Sequence, residues 1–450
     1  MRVLLISTYE LGHQPLHVAS PAAALRHAGH EARVLDLSVE PWDTGLVAWA
    51  EAIAFSVPMH TAMRLAMEAA RRVKEARPGV PICFYGLYAP IGRDSTVGRL
   101  ADRLIAGEYE PGLVAWVDGL AGERPGPDTR PPVVQLGRGR FHLPARDLLP
   151  PLDRYAHLAL GGDERVVGYV EATHGCAHRC RHCPVPVVYD GRLRVVASEV
   201  VMEDIAQLVT MGAQHVTFGD PDFLNGAHHS RRLVEGVHGR FPNLTFDCTV
   251  KVEHVLEHAE VWADFADAGC LFVVSAVETT NDEILARLDK GHTSADASEA
   301  IAVLRAHGIE MRPSFLPFTP WTTFDDLLDL LAFVADHDLI GNVDPVQYTI
   351  RLLLPEQSLL LDDPTLTPHL GPYDPAQLTY IWASSDPMLD VLQRDLARLV
   401  ERATTAGETI LGTFMDVNAA VRVAAGTARP ELIVAGSTEG RPRLTEPWFC

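Results

Sequence analysis

The chain has 450 residues, enough for two or three domains, and 47% of them are hydrophobic, enough for ordinary cores. Its formal net charge is −21, from 38 basic and 59 acidic side chains, which argues against a tight grip on a nucleic-acid backbone, since that needs a basic patch. No apolar run reaches the ~18–20 residues of a membrane span, and the strand-like run Met1–Ser7 lacks the pattern of a signal peptide. A cytoplasmic protein with no nucleic-acid and no membrane partner is expected.

Residues 1–120 alternate strand and helix signals. Arg2–Ser7, Glu31–Asp36, Ala52–Ser56 and Val80–Tyr85 read as strands, and Pro21–Ala28 and Thr61–Glu75 as helices. Such alternation predicts a Rossmann-like, doubly wound parallel sheet that binds ligands at the carboxyl ends of its strands. The loops Tyr9–Leu16, Val57–His60 and Gly86–Ile91 would line that rim. Residues 121–160, with runs such as Arg-Pro-Gly-Pro-Asp-Thr-Arg-Pro-Pro, read as a proline-rich linker.

A second alternating series follows, over residues 161–375. Six strands are predicted: Val167–Ala172, His215–Gly219, Leu244–Val250, Leu271–Ala276, Ile309–Leu316 and Val346–Leu352. Helical patterns separate them, notably Glu199–Met211, Glu253–Ala268, Ala295–His307 and Thr323–His337. Six such units make a partial (β/α)6 barrel, whose strand tops carry the chemistry. Residues 376–450 break the pattern; Asp386–Ala403 reads as a helix and the tail as irregular.

The first of these strands ends at a run holding Cys176, Cys180 and Cys183, spaced C-x3-C-x2-C. Three thiolates so close can hold three irons of a [4Fe–4S] cube and leave the fourth without a protein ligand. The competing reading is a zinc knot completed by His174, His178 or His182. Cys83, Cys248 and Cys270 sit in apolar contexts and are expected to be small buried residues.

This spacing resembles the signature of the radical S-adenosylmethionine (SAM) superfamily, and the similarity extends to other strand ends. Gly219-Asp220-Pro221-Asp222 resembles the superfamily's Gly-Gly-Glu segment, which receives the SAM amine. Ser275-Ala276-Val277-Glu278 is similar to the segment that reaches the ribose and amino-acid end, and Lys290-Gly291 to the step after it. Arg312 would pair the SAM carboxylate, and His182 stands where many relatives carry an aromatic residue against adenine. The resemblance thus implies a [4Fe–4S] cluster on Cys176, Cys180 and Cys183. It further implies SAM on Gly219, Asp220, Ser275, Glu278, Arg312 and His182, and an electron donor such as flavodoxin or ferredoxin.

A doubly wound domain ahead of such a barrel resembles the cobalamin-binding radical SAM enzymes. Two departures stand against it: no Asp-x-His-x-x-Gly supplies a lower ligand, and Gly86-Leu87-Tyr88-Ala89-Pro90 replaces a double-glycine turn. The domain would bind cobalamin base-off, bind something else, or bind nothing.

The ending Trp448-Phe449-Cys450 resembles the radical SAM family named for its CUAEP or CCAEP tail. In that family selenocysteine or cysteine follows, and a UGA codon read as a stop would explain an ending at Cys450. A soft Cys–Sec or Cys–Cys pair could hold a metalloid or deliver reducing equivalents, which makes Cys450 a candidate catalytic residue. The expected function is a radical SAM enzyme that modifies a small-molecule or metalloid substrate. The alternatives are a cobalamin-dependent methyltransferase and a non-catalytic zinc or iron–sulfur sensor.

Overall fold

The computed structural model describes residues 1–93, 98–122, 134–137, 139–429, 432–434, 438 and 440–446. Strands β1 (Arg2–Ser7), β2 (Glu31–Asp36), β3 (Ala52–Ser56), β4 (Ile82–Tyr85), β5 (Arg103–Gly107) and β6 (Val134–Gln135) form a parallel sheet in the order β2-β1-β3-β4-β5-β6. Alternate residues feed two layers, as the period of two requires. Val3 and Leu5 pack on helices Leu16–His27 and Tyr109–Leu120, whereas Leu4 and Ile6 pack on His60–Ala76. The order reverses between β1 and β3, so the two sides of the switch open at the carboxyl rim.

The first helix starts five residues ahead of the expected Pro21 and runs through it. Pro21 has no N–H for the carbonyl of His17, and the hydroxyl of Tyr85 donates to that carbonyl instead, at 2.9 Å.

The second sheet contains β7 (His157–Leu160), β8 (Asp163–Val170), β11 (His215–Phe218), β12 (Thr245–Thr249), β13 (Cys270–Glu278), β14 (Glu310–Phe315) and β17 (Arg443–Leu444). Two hairpins lie outside it, β9 (Thr173–Gly175) with β10 (Leu193–Val195) and β15 (Leu370–Asp374) with β16 (Thr379–Trp382). The order is β14-β13-β12-β11-β8-β7-β17, with β8 and β11–β14 parallel. The sixth expected strand, Val346–Leu352, is instead a 3-10 turn, Pro345–Thr349, with one bridge from Arg351 to Phe318. Its Gln347 side chain accepts from Phe315 N at 2.9 Å, so a side chain meets the edge of β14 where a strand carbonyl would.

The C-terminal segment closes the curled sheet. Arg441 pairs with Glu310 (2.8 Å) and with Asp338, and the Pro442 carbonyl accepts from Arg312 at 3.1 Å. The next two residues then pair with β7 at the opposite edge, and Leu444 packs with Leu158, Val167 and Phe272. Helices Pro387–Ala406 and Ile410–Ala425 pack on the barrel's outer core; the second was not expected. Among the described residues, no helix is long and apolar enough to cross a membrane.

The two sheets meet rim to rim through residues 144–155. Arg146, 1% exposed, donates to Asp204 (3.0 and 2.8 Å), to Gln14 Oε1 (3.1 Å) and to the Tyr169 carbonyl (2.6 Å). Tyr155 donates to Asp36 at 2.8 Å.

Candidate active site

The three cysteines lie on the loop between β9 and β10, above the end of β8. Gly175 starts this loop at φ +77°, and an added Cβ would lie 2.3 Å from the Arg192 carbonyl, so only glycine fits there. Cys176 and Cys180 are buried and Cys183 is half-buried. Burial pushes the Cys183 thiol up to about 12, and the neighbouring Cys180 and Cys176 add to that rise. Among the described residues, the sets of three metal-binding atoms within 4.8 Å of one another contain no cysteine, so the sulfurs stand wider apart than a single zinc ion needs.

Asn225, which sequence reasoning missed, clamps this loop. Its Nδ2 donates to Cys176 Sγ at 3.3 Å and its Oδ1 accepts from Ala177 N at 3.2 Å. Only its place just after Gly219–Asp222 would have pointed to it.

The buried Glu278 and Lys290 form a triad with the half-buried His182 beside the cysteines. Glu278 accepts from Lys290 Nζ at 3.0 Å and pairs with His182 Nε2 at 3.1 Å. Burial alone would raise the Glu278 pKa, but Lys290 and His182 hold it well below the usual carboxylate range. Burial opposes the charge on Lys290; Glu278, with Cys180 and Cys183, outweighs it and raises that pKa. Glu278 has φ +65°, an uncommon backbone state for a non-glycine residue that concentrates at functional sites. His182 Nδ1 is buried without a hydrogen-bond partner.

The other expected residues are dispersed. Asp220 lies under the cysteine loop, accepting from Thr173 Oγ1 (2.5 Å) and Ala172 N (3.0 Å), and burial raises its pKa to about 7. A Cβ on Gly219 would lie 2.0 Å from the Tyr169 ring, so its lack of a side chain is used for packing. Ser275 shares the strand face of Val273 and Val277, which pack on the helices, and its buried Oγ has no partner. Arg312 faces the barrel interior, paired with Asp344 at 2.8 Å. Cys450 lies outside the described residues.

Of the interleaved histidines, His174 bridges the two rims, 3.3 Å from Glu108 and 3.4 Å from Glu171. His17 adds a second bridge, 3.2 Å from Glu171, and its other nitrogen is 2.8 Å from the Tyr109 hydroxyl. Burial alone would lower the His17 pKa; Glu171 and Glu10 overcome it and raise the group to about 9. Between the rims is a cavity of about 190 Å³ lined by His17, Met59, Tyr109, Glu171, His174 and Tyr189 among others.

Residues 170–334 match the radical SAM superfamily. The hopanoid C-3 methylase of Methylococcus capsulatus is 26% identical over 334 residues, which are 68% of this chain and 62% of that protein. The ribosomal protein uS12 methylthiotransferase RimO of Porphyromonas gingivalis is 27% identical over 187 residues, 38% of this chain and 42% of that protein. The cobalamin-dependent SAM radical enzyme OxsB, solved with aqua-cobalamin and SAM bound, superposes with TM-score 0.66 at 15% identity, covering 88% of this chain and 66% of that one. The radical SAM methyltransferase TsrM from Kitasatospora setae gives TM-score 0.57 at 20% identity, covering 75% and 71%.

The residues present fit some of the groups that these proteins imply. Three thiols on one loop, set wider than a single zinc ion needs, suit a cluster, and the buried unpartnered His182 Nδ1 beside Glu278 suits a polar ligand such as SAM. In this arrangement the rims bind each other directly and the cavity between them is smaller than the ~300–1,000 Å³ typical of pockets for drug-sized ligands, so a corrin would fit between them only if the rims parted. Residues 170–334 of this chain thus match the radical SAM superfamily, and the chain has a two-part fold similar to those of OxsB and TsrM.

Proposed function

We propose that Cys176, Cys180 and Cys183 hold a [4Fe–4S] cluster and that the chain uses it to cleave SAM and modify a small-molecule or metalloid substrate. Three cysteines on one loop above the end of β8, clamped by Asn225, with the Glu278–Lys290–His182 triad joined to that loop through His182, carry this reading. When bound, the cluster supplies one electron to SAM, whose cleavage yields a carbon radical.

The protein's part is positioning. Asn225 donates to a thiolate sulfur, which draws charge from it and fixes the loop. Glu278, kept ionised by Lys290, offers a carboxylate to the hydroxyl or amine donors of SAM. Asp220 has no cation within ion-pair distance among the described residues, and its buried carboxyl suits an ammonium from the ligand. The cavity between the rims is sized for a small substrate. Electrons would come from a donor such as flavodoxin or ferredoxin.

The shared fold with OxsB and TsrM favours a second reading, a cobalamin-dependent methyltransferase, which requires the rims to part. The two separate on anaerobic reconstitution with iron, sulfide and hydroxocobalamin, followed by SAM, dithionite and mass spectrometry. 5′-Deoxyadenosine without retained cobalamin supports the first reading; retained stoichiometric cobalamin supports the second. Methylthioadenosine as the SAM product would replace adenosyl cleavage with aminocarboxypropyl chemistry, and no SAM turnover would sink both.

A further inference from the structure

Three barrel loops bring two imidazoles and a carboxylate together on the far side of the cysteine loop. His178 comes from between Cys176 and Cys180, Asp222 from the loop after β11, and His254 from helix Val252–Glu257 after β12. One ligand atom from each lies within 4.8 Å of the other two. His178 Nε2 and His254 Nε2 are 3.2 Å apart, and Asp222 Oδ2 is 3.6 Å from His178 Nε2. Metal–nitrogen and metal–oxygen bonds of ~2.0–2.2 Å in a tetrahedron set ligand atoms about 3.3 Å apart.

The surroundings are built for a cation. Asp222 is fully buried and His254 is 9% exposed. Asp222 Oδ1 caps the following turn, accepting from Leu224 N at 3.2 Å, which leaves Oδ2 for the group. Asp222 Oδ2 and His254 Nδ1 form an ion pair at 2.7 Å, so the carboxylate orients the ring and leaves His254 Nε2 facing His178 Nε2 at 3.2 Å. Glu253 is 3.7 Å from His178 Nδ1 and Glu257 is 3.9 Å from His254 Nε2. The cation nearby is Lys251, paired with Glu253 at 3.0 Å, so the carboxylates outnumber it.

We propose that His178, Asp222 and His254 bind a divalent first-row transition cation of the zinc type, separate from the cluster. Two nitrogens and one oxygen, with water completing the shell, match the ligand preferences of such ions. The ion would tie the cysteine loop to the loops after β11 and β12 and so hold it in place. The proposal does not depend on what the three cysteines bind.

The test uses the full chain with Cys176, Cys180 and Cys183 all changed to Ala, so that no thiolate of that loop competes. Zinc is titrated against a chromophoric chelator, and cobalt(II) against the visible spectrum. The expected result is one equivalent of zinc and a cobalt spectrum without thiolate charge transfer. His254→Ala or Asp222→Asn, added to that background, should weaken zinc binding by at least about tenfold. Absence of stoichiometric zinc in a folded triple variant, or equal affinity in the added variants, would overturn the site. If the triple variant does not fold, the cluster-loaded wild-type protein replaces it. One zinc per chain, lost in His254→Ala with iron content unchanged, supports the site, and no zinc refutes it.

Discussion

At the scale of single residues, the triad beside the cysteines is held by compensation. Lys290 is 4% exposed and its charge rests on Glu278 at 3.0 Å. Glu278→Gln strands that charge, and breaking a buried pair from one side costs about 3–5 kcal/mol. Chemical denaturation should show this loss, and adding Lys290→Met should recover part of it; additive losses would mean that the two are not coupled. Gly219 offers a second check. Its Cβ would overlap the Tyr169 ring at 2.0 Å, so Gly219→Ala should destabilise by about 1–3 kcal/mol. Gly219→Ala with Tyr169→Leu should regain part of that, because the obstruction is the ring. The resemblance names Gly219 as a cofactor contact, and the packing gives it a further requirement that the motif does not record, room for a tyrosine from the neighbouring strand.

Among elements, the tail segment 440–446 is the least legible from sequence and the one with most structural consequence. Arg441, Pro442 and Leu444 link β14 to β7 across the open side of the barrel. Glu446 lies against Gly12 of the other sheet's rim, where an added Cβ would come within 2.6 Å. Nothing in Arg-Pro-Arg-Leu-Thr-Glu signals a strand, because the pairing depends on an edge supplied by residues nearly three hundred positions earlier. Arg441→Ala should speed amide exchange in β7, β14 and β17 together and cost about 1–3 kcal/mol; exchange confined to β17 would mean that the strap does not link the edges.

Four of the six strands of the first sheet and the five parallel barrel strands were legible, because each is a short apolar run ended by glycine or polar residues; Arg103–Gly107 was not read as a strand and Val134–Gln135 fell in the expected linker. Val346–Leu352 misled because its apolar alternation is real but serves a turn packed on the core. The cysteines were readable from their spacing, and Glu278 and Lys290 each from the family resemblance, but not that the two pair. Asn225 and Thr173 act by tertiary contact alone, and a linear pattern does not record that.

At the scale of the whole molecule, the two sheets act as one unit because their rims share buried charge. Arg146 ties both sheets and Asp204 together, so Arg146→Ala leaves a buried carboxylate unpaired. A loss of about 3–5 kcal/mol and separation of one thermal transition into two are expected by calorimetry. The rims also predict a pH dependence. His17 is raised from 6.5 to about 9, so its contribution is complete below about pH 6.5 and disappears as pH rises through 9. Burial raises Glu10 from 4.5 to about 7, so that group lowers stability as pH climbs between those values. Against burial, His17 leads in holding Glu171 down at about 2, so its contribution is present above 4.5 and lost as pH falls toward 2. The melting temperature should therefore peak in mild acid and fall toward pH 9, with a shallower fall in His17→Gln. A flat profile between pH 6 and 9 would contradict this account of the rims.

The central claim is that three cysteines of one loop hold a cluster that opens SAM. Its most direct test compares anaerobically reconstituted wild-type protein with Cys180→Ala, measuring iron, acid-labile sulfide and 5′-deoxyadenosine after dithionite and SAM are added. About four irons and four sulfides with 5′-deoxyadenosine in the wild type, and loss of all three in the variant, is the predicted result. A Cys180→Ala protein that keeps its iron, sulfide and SAM cleavage would contradict it.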